Sequence, residues 1–455
     1  MSAPFIAFCA ICVTVLKELN LAVDEPYMDE PFHIPQAQAY CRGEFSYWDP
    51  KITTPPGLYI MSVLLKRIFM FKCTLPMLRL TTSLSLLALP IVLTRLLCFH
   101  QRERPPSSFL APTIGALVLS AFPVAWFFGF LYYTEVPSLL FVAATVIAAT
   151  EQRHWLAALL GLVSCTFRQT NIVWVLYAYA ASQLMELRFR KPQGSVTHTA
   201  WHDPSALLAG PGDLFKTILS APSILSTILP KFIPYGVVVG LFAAFIYWNG
   251  GIVLGDKSNH IPSLHIPQLY YFIAFSTAFG WPALVSGNSG PKALLRDVWA
   301  RMFGSTRRTL ITVLTASVMS MTVHLFTIHH PFLLSDNRHY TFYVWRRIYM
   351  LHPIVPHLLI PGYIACAWAW FLRVGQDQTL LQTLVLPVLL VPTLLPTPLL
   401  EPRYFLIPYI LMRAQVVDVS SWGLALEGSW YAIINAATMY VFIYCPREGV
   451  GRFMW

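Results

Sequence analysis

The chain has 455 residues, of which 31 are Lys or Arg and 21 are Asp or Glu, so that only 11% are charged against 56% apolar. Soluble domains carry about 25% charged residues, and with a mean hydropathy of +0.57 this composition excludes a cytosolic globular enzyme, a disordered chain and a nucleic-acid binder. An all-α polytopic membrane protein is expected. The net charge of +10 is not gathered into a basic stripe with interleaved aromatics, as nucleic-acid binding requires; it sits in short clusters between apolar runs.

A membrane-spanning helix needs about 20 mostly apolar residues. Candidate runs lie at 3–20, 79–98, 109–130, 136–150, 155–167, 171–187, 232–248, 267–287, 309–328, 354–373, 380–399, 404–417 and 429–445. Several are short or interrupted by Pro, giving roughly 12–14 expected spans. No basic region precedes the first run, and Lys17-Glu18-Leu19-Asn20 follows it where a cleaved leader would carry small residues, so it reads as a retained membrane helix. Residues 58–72 are too charged for a span and read as an interfacial helix. Gly451-Arg452-Phe453-Met454-Trp455 match no receptor-read retention tetrapeptide.

Lys and Arg concentrate in loops 95–104, 188–231 (with Arg188, Arg190, Lys191, Lys216 and Lys231) and 288–308, which the positive-inside rule places in the cytoplasm. Loops 21–57, 131–135, 249–266, 329–353 and 400–403 then face the other compartment. Loop 188–231 reads as a cytoplasmic insertion with no informative motif. The cysteines are mostly isolated; Cys9 and Cys12 form a lone CxxC inside an apolar helix, which reads as two small hydrophobes. No HxxxH or HExxH spacing occurs, so no zinc site is expected.

The first outer loop stands out. Residues 22–57 hold Asp24, Glu25, Asp29, Glu30, Glu44 and Asp49 against only Arg42 and Lys51. Aromatic and Pro residues throughout it argue for ordered structure, and ordered acidic loops are where catalytic groups tend to sit. Asp29 and Glu30 are neighbours that point about 100° apart on a helix, so they cannot do the same job. One can serve as a base in a cavity while the other binds a sugar hydroxyl or a basic residue. Asp49, between Trp48 and Pro50, is a third acid.

Two further clusters share that side. Loop 329–353 carries His329-His330, then Ser335-Asp336-Asn337-Arg338-His339-Tyr340, then Arg346-Arg347. Arginines on the face where positive charge is sparse call for an anionic ligand, most simply a phosphate; pairing with loop acids or lipid head groups is the alternative, above all for Arg346 and Arg347. Glu401-Pro402-Arg403-Tyr404-Phe405 sits at the mouth of a late run, where an Arg–Tyr pair can hold a phosphate oxygen. Thr134-Glu135, Arg168-Gln169-Thr170-Asn171 and Gly255-Asp256-Lys257-Ser258-Asn259-His260 lie at the same level. Arg168, inside an apolar stretch, must be paired and is expected to face the cavity. Carboxylates and aromatic rings suit a sugar, arginines suit a phosphate, and the bundle suits a lipid tail; the combination reads as a site for a lipid-phosphate sugar donor.

The strings MDEPFHIPQAQAYCRGEFSYWDPKITTPPGLY, RQTNIVWV, GDKSNH, SDNRHYTFYVWRR and EPRYFLIPY closely resemble the eukaryotic dolichyl-phosphate-glucose α-1,2-glucosyltransferases. The resemblance runs essentially end to end and is weakest in loop 188–231. It implies a GT-C glycosyltransferase fold in the endoplasmic reticulum membrane with a lumenal active site, dolichyl phosphate glucose as donor, a lipid-linked oligosaccharide bearing two glucoses as acceptor, and inversion at the anomeric carbon. No cofactor or obligatory metal is implied. By resemblance Asp29 takes the role of base, with Glu30 adjoining and Asp49 as rival, and Arg403 and Tyr404 take the donor phosphate, joined by Arg338. His33, Gln36, Trp48, Arg168, His339 and Arg346 are the expected substrate contacts. A mannosyl transferase of the same superfamily, a transporter or scramblase, and a catalytically silent membrane partner are the competing readings.

Overall fold

Apolar runs become helices because, in hydrocarbon, a helix pairs every interior backbone donor and acceptor within one segment. The computed structural model describes residues 1–189, 201–257 and 261–455, and each apolar run carries helix. In chain order these are α1 (Ala3–Ala22), α2 (Glu30–Arg42), α3 (Gly57–Phe69), α4 (Leu75–Gln101), α5 (Ile114–Ser120), α6 (Pro123–Phe128), α7 (Glu135–Thr150), α8 (His154–Phe167), α9 (Asn171–Phe189), α10 (Pro211–Ser220) and α11 (Leu225–Asn249). They continue with α12 (Gln268–Val285), α13 (Gly290–Phe303), α14 (Thr306–Phe326), α15 (Pro331–Ser335), α16 (Tyr340–Val344), α17 (Val355–Leu358), α18 (Ile360–Val374), α19 (Leu380–Leu394), α20 (Leu406–Ala414) and α21 (Ser421–Tyr444). Among the described residues there is no strand, and the protein is an all-α, multi-pass membrane protein. Five helical stretches among them are long and apolar enough to cross a bilayer: Ala3–Ala22, Leu75–Gln101, Pro211–Asn249, Thr306–Phe326 and Val355–Asp377; Glu135–Thr150, His154–Phe167 and Leu380–Leu394 are apolar but shorter. Of the sequence motifs, Arg190, Lys191, Ser258, Asn259 and His260 lie outside the described residues.

Two runs differ from a simple span. Run 109–130 is broken: α5 stops at Ser120 and α6 starts at Pro123, with Phe122 extended between them. Pro123 has no N–H to continue the ladder and biases the preceding residue away from helix. Residues 122–139 are all buried, so this irregular backbone is wrapped in protein rather than lipid, where it is tolerated. Run 404–417 likewise begins with a tight 3-10 turn, Pro402–Phe405, and continues as the short α20, every residue of which is buried. Arg413 of α20 donates two hydrogen bonds to Glu427 of α21, at 2.8 and 2.7 Å, and Phe122 stacks on Tyr409 at 4.3 Å. These contacts seat α20, and with it the turn that precedes it.

Polar groups separate to the two ends of the bundle. At one end Arg102 pairs with Asp377 at 2.6 Å, Arg188 reaches the Asp377 carbonyl at 2.5 Å and Arg301 the Leu207 carbonyl at 2.8 Å. The other end gathers the segments around Asp29, Glu135, Arg168, Asp336 and Arg403. There a disulfide joins Cys41, at the end of α2, to Cys73, just before α4, a link that nothing in the cysteine spacing had suggested. The rings of the first loop are packed, with Tyr40 against Phe45 and Tyr59, and Trp48 against Tyr59.

Candidate active site

The site begins at a sharp turn. Met28 has φ +59°, a left-handed conformation that costs a side-chain-bearing residue about 1 kcal/mol or more, and such strain concentrates at functional positions. The next residue, Asp29, occupies the N-cap of α2 without using its side chain to cap the helix. Its backbone N–H donates to the Tyr133 hydroxyl at 3.0 Å, and its carboxylate is left 38% exposed. That opening faces a cavity of about 760 Å³ lined by Asp29, His33, Glu135, Arg168, Arg338, His339, Glu401, Arg403 and Tyr404 among others.

Arg403 is the hub. Its Nη1 donates to Asp29 Oδ2 at 2.8 Å and lies 3.7 Å from Glu135, while Nε and Nη2 grip Glu401. Pro402 at the start of the 3-10 turn turns the chain so that Glu401 and Arg403 meet side by side. Arg168 donates to Glu135 Oε1 at 3.0 Å and its guanidinium lies 5.7 Å from the Tyr404 ring centre; Glu135 Oε2 has no hydrogen-bond partner. Arg338 forms a fork on Asp336 at 2.8 and 2.7 Å, with His339 3.7 Å from the same carboxylate. His33 Nδ1 lies 2.5 Å from the Tyr59 hydroxyl. The wall at Thr53 and Thr54 is buttressed from behind: Asp256 N–H donates to the Pro50 carbonyl at 2.7 Å and Leu254 N–H to that of Thr53 at 3.3 Å. Gly255, at φ +58°, sits where a Cβ would collide with the Pro50 carbonyl oxygen, so only glycine fits that seam.

Other expected residues lie elsewhere. Glu30 is fully buried and turned from the cavity: it accepts two hydrogen bonds from Arg79, at 2.9 and 2.6 Å, and one from each of the Tyr27 and Tyr132 backbone N–H groups. All of these acceptor positions are taken by protein donors, and Glu30 is not among the residues that line the cavity. Asp49 also lies off the cavity wall, accepting from the Lys51 N–H at 2.9 Å. Gln36 is buried and braces the loop, donating to the Tyr47 carbonyl at 2.7 Å and accepting from the Asp49 N–H at 2.9 Å. Trp48 donates to the Ile52 carbonyl, and Arg346 is exposed with its guanidinium 5.8 Å from the Phe342 ring; neither lines the cavity. Glu30, Asp49, Gln36, Trp48 and Arg346 are thus five expected residues that the cavity lining does not include.

Glu135, Glu401 and Asp336 stand inside the polar clusters picked out in the sequence but carry no expected role there. Arg79 carries none either, although its position in an apolar run is the same signal that singles out Arg168. Among the described residues no three His, Cys, Asp or Glu side chains gather as a metal-ligand set.

Comparison with known proteins decides the lineage. The model of the DIE2/ALG10 family matches residues 23–414. The chain belongs to the DIE2/ALG10 family. Over the whole chain it is 36% identical to a human protein named Dol-P-Glc:Glc(2)Man(9)GlcNAc(2)-PP-Dol alpha-1,2-glucosyltransferase, covering 98% of that protein. Proteins of the same name from Arabidopsis thaliana, 35% identical over 96% of each chain, and Yarrowia lipolytica, 32% identical over 99% of this chain and 97% of the other, are similarly close. No solved structure matches.

In this DIE2/ALG10 member the electrostatics of Asp29 set a pH expectation. Burial pushes its carboxyl upward, but Arg403, His33 and His339 outweigh that and hold it below the ordinary carboxylate value of about 3.9. Glu401 is held down in the same way, burial being outweighed by Arg403, and burial keeps His33 below the usual imidazole range despite nearby Asp29 and Glu135. A base must be ionised to accept a proton, and a depressed pKa keeps Asp29 ionised above about pH 4. Were Asp29 the base of a transfer reaction, turnover would be insensitive to its titration between about pH 5 and 7, with the acid limb below that range. A limb centred at pH 6 or higher in a pH–rate profile would transfer the role to an imidazole.

Proposed function

We propose that this chain is an inverting glucosyltransferase of GT-C type. It moves glucose from dolichyl phosphate glucose to the 2-hydroxyl of the terminal glucose on a diglucosylated, dolichol-linked oligosaccharide, at the lumenal face of the endoplasmic reticulum membrane. The observation that carries this reading is the 2.8 Å contact between Asp29 and Arg403, which joins an acid of the first loop to a guanidinium near the end of the chain inside one cavity. The choice of glucose, donor and acceptor rests on the names of the relatives. The disulfide on the cavity side, a bond that persists in oxidising compartments, and the basic loops at the opposite end support a lumenal site.

Asp29 removes the proton of the acceptor 2-hydroxyl as its oxygen attacks C1 of the donor sugar, and the C1–O bond to phosphate breaks on the opposite face, through an oxocarbenium-like transition state. The donor is a phosphodiester with one negative charge, and the departing dolichyl phosphate carries two. Charge thus moves from Asp29, which becomes neutral, to the phosphate. Arg403 already holds Asp29 and is placed to follow that charge, stabilising it as it develops. Phosphate leaves as a stabilised anion and needs no general acid. Arg338 and Arg168 flank the same space, each balanced by one acid. Among the lining residues Asp29, Glu135, Asp336 and Glu401 oppose Lys51, Arg168, Arg338 and Arg403, so these side-chain charges balance and an incoming phosphate must displace carboxylates from the guanidinium groups.

Purified protein given dolichyl phosphate glucose and the diglucosylated acceptor should yield a third glucose in α-1,2 linkage by product analysis. Absence of transfer, or transfer only from dolichyl phosphate mannose, would overturn the reading. Arg403→Ala should raise the donor KM about tenfold or more, the loss of a charge-assisted hydrogen bond, with little change in acceptor KM. An unchanged donor KM would remove Arg403 from the phosphate.

A further inference from the structure

After α21 the chain does not leave the bundle. It makes a tight turn, Arg447 N–H donating to the Gly451 carbonyl at 2.8 Å, and residues 452–455 run back to the cavity. Arg452 anchors this return: its guanidinium donates to the carbonyls of Phe442, Ile443 and Ala22 at 2.8, 2.7 and 2.8 Å. Its backbone N–H and carbonyl both bond the Tyr27 hydroxyl, at 2.6 and 2.5 Å. Met454 then brackets His339, donating its N–H to the Arg338 carbonyl at 2.9 Å and accepting from the Tyr340 N–H at 3.1 Å. The Trp455 carbonyl lies 2.8 Å from His339 Nδ1, so that nitrogen carries a proton and the imidazole is fixed with Nε2 toward Asp336. Met454 and Trp455 both line the cavity that holds Asp29 and Arg403, and the Trp455 ring is wedged between Phe279, at 5.8 Å, and Tyr340, at 5.3 Å.

We propose that residues 452–455 form a strap that belongs to the donor site, positioning Arg338 and His339 toward the phosphate and supplying through Met454 and Trp455 an apolar wall for the polyprenyl-linked sugar phosphate. This rests on the glycosyltransferase reading above and adds a binding element to it. The strap holds the loop through the Arg338 carbonyl, the Tyr340 N–H and the His339 ring, and contributes only backbone groups of its own to these bonds, so it sets where Arg338 and His339 stand. A flat indole suits the apolar face of a sugar or the first isoprene unit.

Met454→Pro deletes the N–H that holds Arg338, Trp455→Ala removes the wall, and Trp455→Phe keeps an aromatic face. The first two should raise the KM for dolichyl phosphate glucose about tenfold, as loss of one strong contact does. Acceptor KM should be unchanged, kcat should stay within about twofold, and the thermal shift induced by dolichyl phosphate should need about tenfold more lipid to reach the wild-type value. Trp455→Phe should restore most of the donor affinity, which a general packing defect would not allow. Donor KM values within about twofold of wild type in folded Met454→Pro and Trp455→Ala proteins would overturn the proposal. Should either misfold, Trp455→Cys gives the second measurement. Its labelling by a thiol reagent, read at that site by mass spectrometry, should be slowed by dolichyl phosphate, and equal labelling with and without the lipid would overturn it. Failure of the wild-type protein to transfer glucose would instead strike the functional reading itself.

Discussion

Asp29→Asn should lower the turnover of glucose transfer by about a hundred- to ten-thousandfold, the usual contribution of a positioned general base, while the protein stays folded and still binds its donor. The substitution is nearly isosteric, the side chain is open to the cavity rather than packed, and Arg403 retains Glu401 and the nearby Glu135 as counter-charges. Loss should therefore appear in kcat and not in donor KM. The measurement is steady-state transfer with both substrates varied, with donor-induced thermal stabilisation as the control for binding. Near-normal turnover would remove Asp29 from the chemistry. Glu135, which lines the same cavity and keeps an unpartnered oxygen, would then become the first candidate.

Glu30→Ala should act by a different route, destabilising the fold by about 3–5 kcal/mol, the cost of stranding one member of a buried ion pair. Glu30 and Arg79 are both fully buried, and without the carboxylate the Arg79 guanidinium keeps only the Asn20 side chain and the carbonyls of Val23 and Glu25. The N–H groups of Tyr27 and Tyr132 lose their acceptor as well. The last two residues flank the site, one joining the strap and the other preceding Tyr133, so the damage reaches the cavity through its frame. The expected result is a fall in the folded fraction on size-exclusion chromatography and in the thermal midpoint. A Glu30→Ala protein of wild-type stability that transfers no glucose would return Glu30 to the catalytic centre.

The neighbouring acids show how far the sequence can be read. Alternation around a helix axis was enough to give Asp29 and Glu30 separate tasks, because adjacent residues diverge by about 100°. Which of them met a cavity depended on Arg79, 49 residues further along, and on Tyr133, 104 residues away from Asp29. Gln36 and Trp48 are expected as substrate contacts, but in the fold a polar amide and an indole N–H within this acidic loop serve as its internal braces. Arg346, expected as a substrate contact with a loop acid or a lipid head group as the alternative partner, lies on the exposed face of its turn, a distinction that charge and spacing do not carry.

Composition and the lengths of apolar runs were sufficient for the class of molecule, since a bilayer admits few backbone solutions and punishes uncompensated charge. Motif strings were sufficient for the lineage. Pairings between distant segments were decided only by tertiary structure: Asp29 with Arg403, Arg338 with the Met454 backbone, Cys41 with Cys73. Each is a short-range contact between groups far apart in the chain. It comes into being only when helix packing brings the loops at one end of the bundle together.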